Sequence, residues 1–94
     1  MATRDEGEQL LGRMARKKAG WSAADLGRLF DGFEFARREG GNHTIYEHPR
    51  YPGLTATVSR HPGDLPSGYA RDAVKLIRRL KELEAAEEED EETN

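Results

Sequence analysis

The sequence contains no cysteine, few aromatic residues and no long hydrophobic run. Without cysteine the chain cannot form disulfide bonds or thiolate metal sites, and such a composition is typical of a reducing compartment. Hydrophobic residues make up 35% of the chain, and no run of about 18 apolar residues is present to cross a membrane. The N-terminus also lacks the apolar segment of a signal peptide. We therefore expect a cytoplasmic protein without a membrane-spanning segment.

A chain of 94 residues has room for one domain with one small core, because a domain of this size buries only about 60 to 65% of its unfolded surface. We predict a single domain over residues 1–83, with an extra N-terminal helix in residues 1–20. Residues 84–94 contain no apolar side chain larger than alanine, so they bury too little surface to offset the entropy of ordering. They are predicted to form an acidic, disordered tail.

Charge is divided sharply along the chain, although the net charge is only −3. Residues 1–81 carry all fifteen basic residues against ten acidic ones, a net charge of +5, whereas residues 82–94 carry eight acidic residues and no basic one. A basic body fits a phosphate-rich partner, because neutralised phosphates release counterions on binding. Ordinary solubility charge explains the same pattern, so composition leaves both interpretations open.

The first predicted helix lies in residues 5–18, where acidic residues come first and basic residues last, as a helix dipole favours. Its apolar side consists of Leu10, Leu11 and Met14. Three side chains are too few for a core of their own, and an isolated helix of about fourteen residues is marginal in water. We expect this helix to dock on the domain, and its deletion to destabilise the fold.

Two further helices are predicted after Gly20. Ser22 is a good N-cap, with Asp25 three residues later in a shorter version of the capping box, and the last helix is predicted to begin at Ser67. Apolar residues recur at helical spacing in both and predict core-facing sides: Leu26, Leu29, Phe30 and Phe33 in the second helix, and Ala73, Leu76, Ile77, Leu80 and Leu83 in the third.

Three strands are predicted between these two helices, over residues 33–38, 43–48 and 54–60, because apolar and polar residues alternate there. Gly40 and Gly41 suit a tight turn between the first two strands. Three consecutive antiparallel strands, with amphipathic helices that need a surface to cover, give an α+β fold in the order α-α-β-β-β-α. The helices are expected on one face of the sheet.

This turn delivers His43 to the first position of the second strand. A side chain there is anchored by a sheet yet meets solvent, and histidine is the residue type that changes charge most readily near neutral pH. By strand parity His43 shares a side with Ile45, opposite Thr44 and Tyr46, and we expect it at the rim of the helix–sheet interface. A histidine at a strand end is more often a surface residue than a catalyst, so this feature alone does not assign a function.

The other two histidines, His48 and His61, each stand immediately before a proline, where the backbone is extended and strands usually end. Both are predicted to be structural. A three-histidine metal site with His43 is disfavoured, because ligand pairs at the spacings i, i+2 or i, i+4 are missing. We predict no metal and no cofactor.

Three blocks between about residue 24 and about residue 77 resemble the HicA-type mRNA interferases: Gly41-Asn42-His43 with Ile45-Tyr46 after it, His48-Pro49 at the end of the same strand, and Asp64-Leu65-Pro66-Ser67-Gly68-Tyr69 at a helix start. The family usually has serine at the position of Asn42 and often a second histidine at that of Thr44. The resemblance implies a double-stranded-RNA-binding-domain-like fold and a toxin of a type II toxin-antitoxin pair.

The resemblance also implies an activity: a metal-independent endoribonuclease, hence a hydrolase, that cleaves mRNA with His43 as its single catalytic histidine and is neutralised by a HicB-like antitoxin. Cleavage without a metal needs proton transfer at the 2′-hydroxyl and at the leaving oxygen, which a histidine performs near neutral pH. The predicted RNA-binding residues are Arg37, Arg38, Gly41, Asn42 and Arg60. Two alternatives stay open, namely a non-catalytic RNA-binding module of the same fold and a protein-interaction domain.

Overall fold

The structure, a computed structural model, describes residues 2–93 as three helices and three strands. The helices are α1 (Arg4–Arg16), α2 (Ala23–Gly32) and α3 (Ser67–Thr93), and the strands are β1 (Ala36–Gly40), β2 (His43–Glu47) and β3 (Thr55–Ser59). The strands form one antiparallel sheet in the order β1-β2-β3, and the helices pack on one of its faces. The predicted α-α-β-β-β-α order is confirmed.

Both N-terminal helices begin at capping residues. The Thr3 hydroxyl accepts a hydrogen bond from the backbone N–H of Glu6 at 3.2 Å and starts α1. At the start of α2 the Ser22 hydroxyl accepts from the N–H of Asp25 at 3.2 Å, and the Asp25 carboxylate accepts from the N–H of Ser22 at 2.9 Å. This reciprocal pair is the capping box predicted from the sequence.

Helix α1 docks on the rest of the domain, as expected from its short apolar side. Leu10, Leu11 and Met14 are all buried, and they belong to the same core as the apolar residues of α2 and α3. The contact between α1 and α2 is close because it is made at Gly7 and Gly32. A Cβ atom at Gly32 would lie 2.8 Å from the Gly7 Cα and 2.8 Å from the Thr3 carbonyl oxygen.

The first strand begins later than its sequence pattern predicts, at Ala36 rather than residue 33. The backbone N–H groups of Glu34 and Phe35 return to carbonyls of α2, at 3.0 Å each, so these residues complete the helix end instead of pairing with β2. Glu34 has a φ of 68°, which turns the chain out of the helix. Phe33 and Phe35 are buried, so their alternation with Glu34 reflects core contacts in a helix-to-strand connection.

The acidic segment differs from its predicted disorder, because α3 continues through it as far as Thr93. Alanine and glutamate are good helix formers. Two acidic side chains of this segment also form ion pairs with residues that are distant along the chain. Glu84 pairs with Arg4 of α1 at 2.8 Å, and Glu87 pairs with Arg50 in the connection between β2 and β3. Asn94 lies outside the described residues. No helix within residues 2–93 has the length and apolar character needed to cross a membrane.

The glycine contact between α1 and α2 is tested by making the same substitution at two positions. Gly32→Ala should destabilise the fold by about 1 to 3 kcal/mol, because the new methyl group meets backbone atoms that cannot move aside. Gly12→Ala is the matched control, since a Cβ at this exposed position meets nothing within 4 Å. It should be neutral or stabilise α1 by up to about 1 kcal/mol. Denaturant unfolding measures both, and equal stability of the two variants would contradict the docking described above.

Candidate active site

The two faces of β2 are assigned by its buried residues. Tyr46 and Thr44 are only 4% exposed, and the Tyr46 ring stacks on Phe30 of α2 with 4.8 Å between ring centroids. Gly27 makes room for the phenol, since a Cβ there would lie 2.9 Å from the Tyr46 hydroxyl oxygen. Because side chains alternate along a strand, His43 and Ile45 point to the opposite face, which no helix within the described residues covers. We call this the open face.

His43 therefore lies on the open face and not at the rim of the helix–sheet interface, where the sequence placed it. Parity correctly grouped His43 with Ile45, but the helices cover the other group. The imidazole is exposed and lies between Gly40 of β1 and Ser59 of β3, which pair with His43 in the sheet. Gly40 has no side chain, and the Ile45 Cδ1 atom lies beside it, 3.3 Å from where a Cβ would stand.

Arg38 is the basic residue that shares the open face with His43. It pairs with Ile45 and so stands diagonally across from His43, at a distance of about 7 to 8 Å that a long side chain spans. Ser59 lies directly opposite His43 on β3, where its hydroxyl accepts a hydrogen bond from the backbone N–H of His61 at 3.2 Å. The open face thus combines a titratable ring, a guanidinium group and a hydroxyl around a position without a side chain.

The turn that presents His43 consists of Gly41 and Asn42, one residue later than the expected Gly40-Gly41 pair. Gly41 has a φ of 61°, which glycine adopts at little cost, while Gly40 is the last residue of β1. The Asn42 carbonyl accepts a hydrogen bond from the backbone N–H of Arg60 at 2.9 Å. This bond joins the turn to the end of β3 and fixes the first residue of β2.

Two of the predicted RNA-binding arginines, Arg37 and Arg60, lie on the helix-covered side of the sheet and share one carboxylate. Glu39 contacts Arg37 at 2.7 Å and Arg60 at 3.1 Å, and it accepts a hydrogen bond from the buried hydroxyl of Thr44 at 3.1 Å. The hydrogen bond from Arg37 lowers the pKa of Glu39 most, with smaller contributions from Thr44 and Arg60. The structure thus separates Arg38, beside His43, from Arg37 and Arg60.

Glu39 and Ser59 were not predicted as neighbours of the site. Ser59 was placed in a strand by its pattern and Glu39 directly after one, but the register between strands depends on contacts that are distant along the chain. The only local signal was parity, which puts Glu39 on the same side of β1 as Arg37.

His48 is structural, as predicted. It is 3% exposed, its ring meets Phe35 edge-on with 5.1 Å between centroids, and it lies beside Tyr51. Its Nδ1 accepts a hydrogen bond from the backbone N–H of Arg50 at 3.2 Å, which requires that nitrogen to be unprotonated. His61 is exposed in the connection after β3. Among the side chains of residues 2–90, which the structure describes, no group of three or more His, Asp or Glu is placed to hold a metal ion.

A three-stranded antiparallel meander with helices on one face, and an exposed histidine with an arginine on the other, defines a small α+β domain of the double-stranded-RNA-binding-domain-like class. The model of a protein family described as HicA toxin of bacterial toxin-antitoxin systems matches residues 29–84, more than half of the chain. The chain belongs to this HicA toxin family. No curated protein and no solved structure matches it.

The family match extends from the middle of α2 to Glu84 in α3, and it contains the whole sheet and His43. Helix α1 lies outside the match, although it belongs to the same core. Membership identifies the chain as a toxin of a toxin-antitoxin pair and implies a cognate antitoxin as its partner.

The buried His48 predicts a dependence of stability on pH. Burial lowers the pKa of His48 below the usual value of about 6.5, and the carboxylates of Glu84 and Glu34 oppose this shift only in part. The unfolded chain therefore binds the proton first as the pH falls, and the free energy of unfolding should decrease below about pH 6.5. His48→Asn keeps an acceptor for the Arg50 N–H but cannot titrate.

Denaturant unfolding between about pH 7 and pH 5 should show a smaller decrease for His48→Asn than for the wild type. His61→Asn, at an exposed position, is the matched control and should follow the wild type. The assignment fails if removal of His48 leaves the pH dependence unchanged.

Proposed function

We propose that this chain is a metal-independent endoribonuclease that cleaves mRNA with His43 as its single catalytic histidine and is neutralised by its cognate antitoxin. The observation that supports it most is the position of His43. The imidazole is exposed on the open face, anchored by the turn at its own strand start, and it lies beside Gly40 and diagonally across from Arg38. A phosphodiester can reach the imidazole from solvent because His43 is exposed.

In the proposed reaction, the 2′-oxygen of a ribose attacks the adjacent phosphorus while the bond to the 5′-oxygen of the next nucleotide breaks. His43 either removes the proton from the 2′-hydroxyl or donates one to the 5′-oxygen that leaves, and solvent water makes the other proton transfer. Arg38 stabilises the negative charge that builds on the phosphate oxygens, because a guanidinium can donate two parallel hydrogen bonds to such a group. The antitoxin stops the reaction by covering the open face.

The second candidate is a module of the same fold that binds RNA without cutting it. It is favoured by Asn42, which directly precedes His43 at a position where the family usually has serine. The family often has a second histidine at the position of Thr44. Thr44 is buried on the helix-covered side and bonded to Glu39, so a histidine there would not share the open face with His43.

The role of His43 is tested by cleavage of labelled RNA in the presence of excess chelator. His43→Ala should lower the cleavage rate by about 10² to 10⁴-fold, the usual contribution of one proton-transfer group, without loss of stability because the side chain is exposed. His61→Ala is the matched control and should cleave normally. His48→Ala is unsuitable as a control because it removes a buried ring.

Equal cleavage by His43→Ala and wild type would refute the catalytic assignment. RNA binding without cleavage by the wild type would support the non-catalytic module. Loss of cleavage on adding chelator would exclude a metal-independent reaction.

Adjacent arginines on opposite faces of β1 test the position of the RNA. Arg38→Gln should weaken RNA binding and reduce the slope of log affinity against log salt by about 0.7, the share of one phosphate contact on a single strand. Arg37→Gln is the matched control, because Arg37 faces the other side and is already paired with Glu39 at 2.7 Å. It should change the slope less. Titrations over a range of salt concentrations measure both, and the reverse order would place the RNA on the helix-covered side.

A further inference from the structure

The C-terminal end of α1 carries basic side chains that have no acidic partner. Arg13 and Arg16 stand about one turn apart on the helix, and Lys17 is its C-cap. All three are exposed, and none of them forms an ion pair among the side chains of residues 2–90. The acidic residues of α1 lie in its first half. This end of the helix therefore carries positive charge that the described side chains do not neutralise.

These cations line a pocket together with the one tryptophan of the chain. The pocket has a volume of about 300 Å³ and is lined by Arg13, Arg16, Lys17, Ala19, Gly20 and Trp21. Every charged residue in this lining is basic. The Arg13 guanidinium lies over the indole of Trp21, 5.2 Å from the ring centroid. The pocket thus offers positive charge and an aromatic ring within one small volume.

The pocket is built on a helix C-terminus, where free carbonyl groups ordinarily repel an anion. Donors cover two of these carbonyls. The Lys18 ammonium donates to the Ala15 carbonyl at 2.6 Å, and the indole N–H of Trp21 donates to the Lys17 carbonyl at 2.7 Å. Gly20 has a φ of 89°, which allows the chain to turn so that the indole returns to the helix end. The charge left to face a ligand is that of the basic lining.

Single-stranded RNA has the chemistry that matches this lining. Arginine and lysine bind phosphates, and the unstacked bases of a single strand stack on aromatic rings and on guanidinium planes. An acidic protein segment would attract the cations but has no base to stack on them. A second copy of the chain is disfavoured, because Glu84 and Glu87 of its acidic segment are already paired with Arg4 and Arg50.

The pocket lies within reach of the candidate active site. The Arg60 N–H is bonded to the Asn42 carbonyl in the turn before His43, and the Leu65 N–H is bonded to the Trp21 carbonyl at 2.8 Å. Leu65 is five positions after Arg60, so their backbones are at most about 18 Å apart. One RNA strand can therefore contact both places, and its attachment at one raises the effective concentration at the other.

We propose that the pocket at the end of α1 is an accessory site for single-stranded RNA. A base stacks on Arg13 and Trp21, and the neighbouring phosphates contact Arg16 and Lys17. That the bound strand is a substrate rests on the proposed function, while the pocket rests on its own lining. Both α1 and Trp21 lie outside the family match at residues 29–84, so the match does not assign this site.

Because Trp21 is the one tryptophan, its fluorescence reports directly on the pocket. The probe is a labelled single-stranded oligouridylate with 2′-O-methyl riboses, which cannot be cut because the attacking hydroxyl is blocked. Titration of the full chain should quench Trp21 fluorescence over the same RNA concentrations at which the anisotropy of the label rises. Binding without quenching would overturn the proposal, and so would a failure of this RNA to bind.

The double variant Arg16→Gln/Lys17→Gln removes two exposed cations from the pocket. It should weaken RNA binding by about tenfold or more and reduce the slope of log affinity against log salt by about 1.4, the share of two phosphate contacts on a single strand. Lys75→Gln/Arg78→Gln is the matched control, because it removes the same charge from exposed positions of α3 outside the lining. Its slope should change less. Equal effects of the two variants would indicate general electrostatic attraction and overturn the proposal.

A second probe tests the rival ligand. An oligoglutamate with the same charge as the RNA should bind more weakly and quench Trp21 less, because it has no base to stack. Equal or stronger binding of the peptide would assign the pocket to an acidic protein segment, and the proposal would be wrong.

Cleavage of unmodified RNA separates this inference from the proposed activity. Arg16→Gln/Lys17→Gln should raise KM and leave kcat nearly unchanged, because its contacts are remote from the reacting atoms. A chain that binds RNA in the pocket but never cuts it would refute the proposed activity and leave the accessory site standing. A chain that cuts RNA while Trp21 fluorescence stays unquenched would refute the accessory site and leave the activity standing.

Discussion

The stacking of Tyr46 on Phe30 decides which side of the sheet the helices cover, and the candidate site follows from it. Side chains alternate along β2, so burying Tyr46 and Thr44 obliges His43 and Ile45 to face the other way. A slip of one residue in register would bury the histidine and expose the phenol. The core therefore determines the exposure of His43, while the turn at Gly41 determines where along the edge of the sheet it lies.

The elements of the fold were predictable because their signals are local. Apolar spacing marked the core side of α2, and Ser22 with Asp25 marked its start. The boundary between α2 and β1 was not predictable in the same way. Phe33 and Phe35 alternate with a polar residue as they would in a strand, but the backbone there closes the helix, and the left-handed conformation of Glu34 leaves no mark in the residue type.

Only one aspect of the site was predictable, namely which residues of β2 share a face, because side chains alternate along a strand. Parity gave the two groups on β2, but both contain an apolar residue, Ile45 in one and Tyr46 in the other, so the sequence did not show which group the helices cover. The helical state of the acidic segment depends on still more distant contacts. Glu84 meets Arg4 across 80 positions and Glu87 meets Arg50 across 37, which composition alone does not reveal.

Stability and the proposed chemistry use opposite faces of the same strand. The buried face of β2 belongs to the core, whereas His43 and its neighbour Arg38 are exposed and contribute little burial. A loss of activity on changing either residue therefore reports on the site and not on unfolding. Glu39 is the exception, because it joins the buried Thr44 hydroxyl to two arginines at the edge of the sheet. A change there would alter the surface charge and the packing together, so its effect on activity alone could not be assigned to either.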